Sequence, residues 1–259
     1  MKLGLEGKVA IVTGGSKGIG QATALGFLGE GASVLVCARG KEALEETVRL
    51  AGKQSEGRIV GVQADLTQGD SIKAVVAKCR DTFGRVDILI NNAGSDRPGD
   101  FLTLPDDAWT DDWTLKFFGY VRMAREVLPL MQQQGNGVII NVIGTGALKP
   151  MGSYMIGGAA NAALNHFTKA LADEAAKRGV RVVGVTPGPI LTERLEKFLS
   201  TFGPGNSREE VLKKMTPLGR VGKSEEVADL LLFLSSERAA FIHGANFTID
   251  GGANPGLMG

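Results

Sequence analysis

The sequence predicts an α/β fold: a single domain built on a doubly wound, parallel, seven-stranded sheet. Three observations predict it. Short β-branched apolar runs alternate with longer stretches of helical period along the whole chain. The runs are almost continuously apolar, as strands buried on both faces are. A glycine cluster follows the first run and opens the first helical stretch. A length of 259 residues suits one large α/β domain, and no repeat, low-complexity tract or linker divides it.

Strands are expected at Val9–Val12, Ser33–Cys37, Ile59–Val62, Val86–Ile90, Val138–Val142, Val180–Val185 and Asn246–Ile249. Helical spacing runs through Gly18–Leu28, Lys41–Leu50, Gln68–Phe83, Pro105–Gln133, Ser153–Arg178 and Ser224–Ser235. In the last of these, Leu230, Leu231, Phe233 and Leu234 recur at three and four positions. Each parallel connection needs a crossover of about a dozen residues or more, and these helices supply it. Leu191–Met215 breaks the rhythm: it contains LEKFLSTFGPGNSREE, is too long for a simple crossover and carries a Gly-Pro-Gly turn. A substrate lid is expected over 191–215.

Composition narrows the partners. There are 37 glycines and 9 prolines, about 18% together, below the roughly 25–30% of disordered chains, so many tight turns are implied. The 29 basic and 28 acidic residues nearly cancel, leaving no long-range field to draw in nucleic acid or an anionic membrane. Cys37 and Cys79 are too few for a disulfide framework, and with only His166 and His243 beside them no metal centre is expected. Both cysteines are expected reduced in the core. The opening MKLGLEGKVAIVTGG lacks the apolar run and small-residue cleavage site of a signal peptide, and no stretch of about 18 apolar residues occurs, so a cytoplasmic chain is expected.

The glycine cluster TGGSKGIG spans Thr13–Gly20. In such a turn Gly14 allows the tight bend, Gly18 lets the backbone approach a pyrophosphate and Gly20 lets the helix pack closely. Free amides at the helix start, around Ser16, Lys17 and Ile19, favour phosphate charge. With the NNAG of Asn91–Gly94, the VTPGPILT of Val185–Thr192, the PLGRVG of Pro217–Gly222 and the DGG of Asp250–Gly252, the chain resembles the short-chain dehydrogenase/reductase family over nearly its whole length. The resemblance implies one Rossmann domain that binds a nicotinamide dinucleotide and assembles as a homo-oligomer, a tetramer or dimer. It also implies that Asp65, followed by Leu66, bonds the adenine amino group, and that Asn91, Ala93 and Gly94 line the adenosine ribose. Pro187, Gly188, Ile190 and Thr192 would border the nicotinamide. An acid at the end of the second strand selects NAD, whereas a 2′-phosphate needs cations. That position is Ala38, followed by Arg39, with Lys17 expected to project to the same corner, so NADP(H) is expected over NAD(H).

The family's reacting set is a Ser, a Tyr and a Lys, the last two spaced YxxxK, with an Asn one helix earlier. Tyr protonates the alkoxide formed from a carbonyl, Lys and the ribose lower its phenol pKa from about 10, and Ser orients the carbonyl. Anchored on VIINV (Val138–Val142) and HFTKALADE (His166–Glu174), the register puts the Ser position at Gly144, the Tyr at Gly157, the Lys at Asn161 and the Asn at Lys116. Tyr154 precedes Asn161 by seven positions, similar to the Y-x6-K arrangement of the family's enoyl reductases. Seven residues are two helical turns, so a phenol and an amide face one pocket, and Asn161 can bond a ribose hydroxyl. Packing against the lid is the other use of Tyr154. Thr145 is a substrate-orienting group or a turn residue. Lys116 supplies a charge across the pocket, or is solvated or bridged to Asp111 or Asp112. His166 reads as packing and Asp96 as a loop acid near the nicotinamide.

Three functions follow: an NAD(P)(H)-dependent oxidoreductase acting on an apolar carbonyl, alcohol or activated alkene with an atypical proton donor; a catalytically weak cofactor-binding protein; or a non-redox lyase or isomerase. Fold alone does not choose between them. Leu148, Pro150, Met151, Met155, Leu195, Phe198, Leu199 and Phe202 are expected to rim an apolar substrate pocket or to pack the lid.

Overall fold

The computed structural model describes residues 2–52, 58–95, 97–199 and 208–254. Asp96 and Phe202 lie outside the described residues, as does the side chain of Phe198. The first half runs β1 (Val9–Thr13), α1 (Gly18–Gly29), β2 (Ser33–Ala38), α2 (Lys41–Gly52), β3 (Ile59–Gln63), α3 (Gly69–Phe83) and β4 (Ile88–Asn91). The second half runs α4 (Asp106–Trp113), α5 (Gly119–Gln134), β5 (Gly137–Val142), α6 (Met155–Ala176), β6 (Val180–Pro187), α7 (Glu193–Leu199), α8 (Arg208–Lys214), α9 (Ser224–Ser235) and β7 (Asn246–Ile249).

Among the described residues, seven strands form one sheet in the order β3-β2-β1-β4-β5-β6-β7, every pair parallel. The strand order reverses between β1 and β4, where Ala10 pairs with Ile88 and Ile11 with Leu89. In open parallel sheets the crevice at such a reversal, beyond the carboxyl ends of the strands, receives the ligand. Successive side chains of a strand face opposite sides, so β1 serves two cores. Ala10 and Val12 pack with Phe27 of α1 and Leu231 of α9, while Val9 and Ile11 pack with Val75 of α3 and Val127 of α5. Cys37 and Cys79 are buried and unpaired, and burial pushes both thiols up to about 12. No helix among the described residues is long and apolar enough to cross a membrane.

Most boundaries move by one or two residues, and three differences bear on the site. The fourth strand starts at Ile88, not Val86; just before it the Asp87 carboxylate accepts the Val9 amide at 2.9 Å and an Arg85 nitrogen at 2.6 Å. The stretch Pro105–Gln133 is two helices joined by a π-turn at Thr114–Phe118. The helix expected from Ser153 begins at Met155, after short 3-10 turns at Thr145–Ala147 and Gly152–Tyr154. Within 191–215, the described residues include α7 and α8.

Candidate active site

The crevice is built from loops at the carboxyl ends of β1, β4, β5 and β6. In the glycine loop Gly14 and Gly18 have φ of +64° and +53°, a region that side chains rarely adopt. A Cβ on Gly14 would stand 2.9 Å from Ala93 Cα, and one on Gly20 would stand 2.6 Å from Asn92 Nδ2. The glycines therefore let the loop after β4 press against the loop after β1. Thr13 and Asn92 fasten them. Thr13 Oγ1 accepts the Asn92 and Ala93 amides at 2.9 and 3.0 Å, and Asn92 Nδ2 donates to the Thr13 and Gly14 carbonyls at 3.0 and 3.2 Å. The Ser16 carbonyl accepts Thr47 Oγ1 at 3.2 Å. Lys17 precedes α1 in extended conformation and makes no side-chain cap, so the first-turn amides keep the anion-binding character of a helix start. Ile19 packs half-buried against the core.

At the adenosine end, exposed Arg39 and half-buried Asp65 border one cleft of about 300 Å³, together with Thr67 and Ser95. Asp65 Oδ1 accepts the Thr67 amide at 3.0 Å. Two side chains are placed differently from expectation. Lys17 is held by Glu193, with an ammonium-to-carboxylate distance of 2.8 Å, because α7 begins directly over the glycine loop. Asn91 does not face a ribose: it is fully buried and its Nδ2 donates to Asn141 Oδ1 at 3.0 Å, because as the last residue of β4 its side chain enters the helix-covered layer. Leu66 is buried in the core.

At the other end, β6 leads into a frame of main-chain bonds. Gly188 donates to Ile249 at 3.0 Å, Leu191 to Gly222 at 2.8 Å, and Gly222 to Pro189 at 3.0 Å. A Cβ on Gly188 would meet Asp250 Cβ at 2.5 Å, so the PGP segment needs glycine there, and Gly251 and Gly252 of DGG have φ of +62° and +82°. Ile190 is buried, and Pro187 ends β6 beside Ile249. Thr192 Oγ1 accepts the Leu195 amide at 3.4 Å, and its methyl lies 3.1 Å from a Gly18 Cβ position. Arg194 donates to the Gly94 carbonyl at 2.7 Å.

The loop after β5 gathers the remaining residues. Gly144 has φ of +131°, and a Cβ there would stand 3.1 Å from Asn161 Nδ2, so the position suits glycine twice over. Asn161 is 1% exposed, and its Oδ1 is a buried acceptor with no hydrogen bond. The Tyr154 ring crosses the space in front of Gly157: a Cβ on Gly157 would fall 2.5 Å from Tyr154 Oη. The same ring lies 2.7 Å from a Gly146 Cβ position through Cε1. Half-buried Thr145 opens a 3-10 turn and its carbonyl accepts Leu148 and Lys149 amides. Lys116 is neither solvated nor on the surface: it is 6% exposed and donates to the Ile143 carbonyl at 2.8 Å. It lies on the same buried face as Asp112, Leu115 and Tyr120. Asp112, its suggested partner, accepts Ser95 Oγ at 2.7 Å and the Arg97 amide at 2.9 Å, and Asp111 accepts Arg97 Nη2 at 2.9 Å. His166 is exposed. Met151 and Met155 are exposed on the rim, whereas Leu195 is buried.

Several residues of this frame were not anticipated. Tyr120 is buried and its hydroxyl donates to Val142 at 2.8 Å, and burial pushes its phenol up. Asn141 continues from Asn91 to Thr168, donating to Oγ1 at 2.9 Å. A polar residue inside VIINV was the available signal for Asn141. Nothing in the sequence marks Thr168.

A dinucleotide-binding Rossmann fold with these loops is the architecture of nicotinamide-dependent oxidoreductases. A family model described as enoyl-(acyl carrier protein) reductase matches residues 14–254, and the chain belongs to the short-chain dehydrogenase/reductase family of NAD(P)-dependent oxidoreductases. It is 37% identical to 3-oxoacyl-(acyl-carrier-protein) reductase FabG of Thermotoga maritima, over 96% of this chain and 98% of that protein. The corresponding Escherichia coli reductase is 35% identical over 96% and 98%. Among solved structures, L-sorbose reductase from Gluconobacter frateurii, complexed with NADPH and L-sorbose, superposes with a TM-score of 0.94 at 35% identity, covering 99% of this chain and 100% of that one. A 7α-hydroxysteroid dehydrogenase complexed with NADH and 7-oxo glycochenodeoxycholic acid gives 0.91 at 30% identity, covering 99% and 98%. The residues present fit the dinucleotide: positive-φ glycines at an uncapped helix start, and a buried amide acceptor at Asn161 that lacks a donor.

Proposed function

We infer that this chain is an NADP(H)-preferring reductase of an apolar carbonyl or activated alkene, with Tyr154 as its proton donor. The observation that carries the reading is the Tyr154 ring lying where a Gly157 side chain would extend. By register, Gly157 and Asn161 stand where the family has its Tyr and Lys, Gly144 where it has Ser and Lys116 where it has Asn. On this reading the phenol reaches the reaction centre from three residues upstream.

Bound nicotinamide supplies or accepts the hydride. The amides of Gly14–Gly20 would hold the pyrophosphate, Arg39 the 2′-phosphate, Asp65 the adenine, and the Ala93–Gly94 backbone the adenosine ribose. Pro187, Gly188, Ile190 and Thr192 would border the nicotinamide. Asn161 Oδ1, a buried acceptor, would accept from a ribose hydroxyl. Thr145 orients the substrate oxygen and Tyr154 Oη gives it a proton. The α7–α8 segment acts as the lid. The relatives named as 3-oxoacyl-(acyl-carrier-protein) reductases make 3-oxoacyl thioesters the first substrates to try, and assembly as a dimer or tetramer belongs to the same reading.

The test is NADPH consumption over a panel of ketones, 3-oxoacyl thioesters and enoyl thioesters with the wild type and Tyr154→Phe. General acid catalysis contributes about 10²–10⁴-fold, so turnover should fall at least about tenfold while NADPH affinity holds. Unchanged turnover in Tyr154→Phe removes the phenol from the mechanism. NADPH binding without any turnover by the wild type favours a cofactor-binding protein instead.

A further inference from the structure

Lys116 sits in the π-turn Thr114–Phe118. Such turns occur as local insertions in helices and often mark functional sites. Its stem packs on Gly94, where a Cβ would lie 3.3 Å from Lys116 Cδ and 3.7 Å from Nζ, and its ammonium donates to Ile143 at 2.8 Å. A cation is thus buried where β4 and β5 end. Burying an ammonium is costly, and in a medium of low dielectric its field reaches further than at a surface.

Four consecutive residues place the neighbours of this charge. Lys116 bonds Ile143. The Asn161 amide lies 3.1 Å from a Gly144 Cβ position and 3.4 Å from a Gly146 one. The Tyr154 ring lies against Gly146. Cation, amide and phenol therefore follow one another along the arc Ile143–Gly146.

We propose that Lys116 is the positive charge that favours ionisation of Tyr154, with the Asn161 amide between them. Because it rests on Tyr154 as proton donor, Lys116 is a positioning residue for that group and sets the pH range in which it works. Other groups face the pair. Arg194 of α7, bonded to the Gly94 carbonyl, adds a second cation of the same effect. Asp112 of α4 has the opposite sign and is engaged by Ser95 and the Arg97 amide, with the Arg97 guanidinium beside it. Tyr120 of α5 is a neutral phenol bonded to Val142.

The chain has two tyrosines, and burial holds the Tyr120 phenol above the ordinary range. The first tyrosinate absorbance to appear as pH rises therefore reports Tyr154, and its loss in Tyr154→Phe assigns it. The wild-type midpoint is expected at least about one unit below the free value of about 10, and Lys116→Met should return it toward that value, about tenfold less phenolate at a given lower pH. Lys116→Gln serves as a second neutral variant, with circular dichroism checking the fold of each. A wild-type midpoint at or above the free value overturns the proposal, as does a midpoint that neither variant moves. The titration needs neither cofactor nor substrate. A chain that turns nothing over but shows the lowered, Lys116-dependent midpoint defeats the functional reading and not this one.

Discussion

Lys17 of the glycine loop and Glu193 of α7 form an ion pair of 2.8 Å although 176 residues separate them. The Lys17 ammonium draws the Glu193 carboxyl below its usual range, and the pair ties the loop to the first turn of the helix above it. Both side chains are largely exposed, so solvent screens the pair and it adds little stability; its effect lies in where it holds Lys17.

Cofactor preference should therefore depend on Arg39 more than on Lys17. A charge-assisted hydrogen bond contributes about 1.5–3 kcal/mol, so NADPH should bind at least about tenfold more tightly than NADH. Calorimetry should find most of that ratio lost in Arg39→Ala and most of it kept in Lys17→Ala. Equal affinities in the wild type would remove the preference altogether.

Gly157→Ala should displace the Tyr154 ring. The new methyl would stand 2.5 Å from Tyr154 Oη and 2.7 Å from Cε2, closer than packed atoms come. Overpacking of this kind destabilises by about 1–3 kcal/mol, and turnover should fall by about 10²-fold with NADPH affinity within a few-fold of wild type. Thermal melts, steady-state rates and calorimetry on one preparation check all three. Full activity in Gly157→Ala would show that the position of the ring is immaterial.

Asn91→Ala should act on stability and leave the cofactor site alone. The substitution strips the partner from buried Asn141 Oδ1, and an unsatisfied buried polar atom costs about 1–3 kcal/mol. Urea unfolding should show the loss, while NADPH affinity should stay unchanged. A specific loss of cofactor affinity would return Asn91 to the binding surface.

Glu226 should make the chain acid-sensitive in a defined window. Its carboxylate accepts two Arg220 nitrogens at 2.7 and 2.8 Å and the Lys223 amide at the start of α9 at 2.8 Å, which holds it down to about 2. The folded-state value is lowered, so the stabilisation is complete above the unfolded value of about 4.3 and is lost as pH falls through the folded one. Urea midpoints of wild type and Glu226→Gln should differ at neutral pH and converge toward pH 2. A constant gap across that range would place the effect elsewhere.

The sheet was legible because each strand is an apolar run closed by turn residues, and the glycine loop because positive φ and close approach leave only glycine. The π-turn was not: a single extra residue leaves the apolar spacing of Pro105–Gln133 looking like one helix. Lys116 shares the buried face of this stretch with Asp112, Leu115 and Tyr120, and a long cationic side chain there reads from sequence as a surface or pocket charge. The motif NNAG located its loop, but which of its two asparagines is buried depends on where β4 ends. Lys17 misled because its partner is distant in sequence. Tyr154 was visible as a residue, whereas its entry into the volume before Gly157 depends on the turns that precede α6.

Tyr154 and a side chain at position 157 claim the same volume, so the two positions are epistatic. Neither residue can be exchanged for the alternative arrangement without regard to the other, and single substitutions there should be strongly non-additive. A tyrosine introduced at 157 meets the existing ring, so the existing ring must go first.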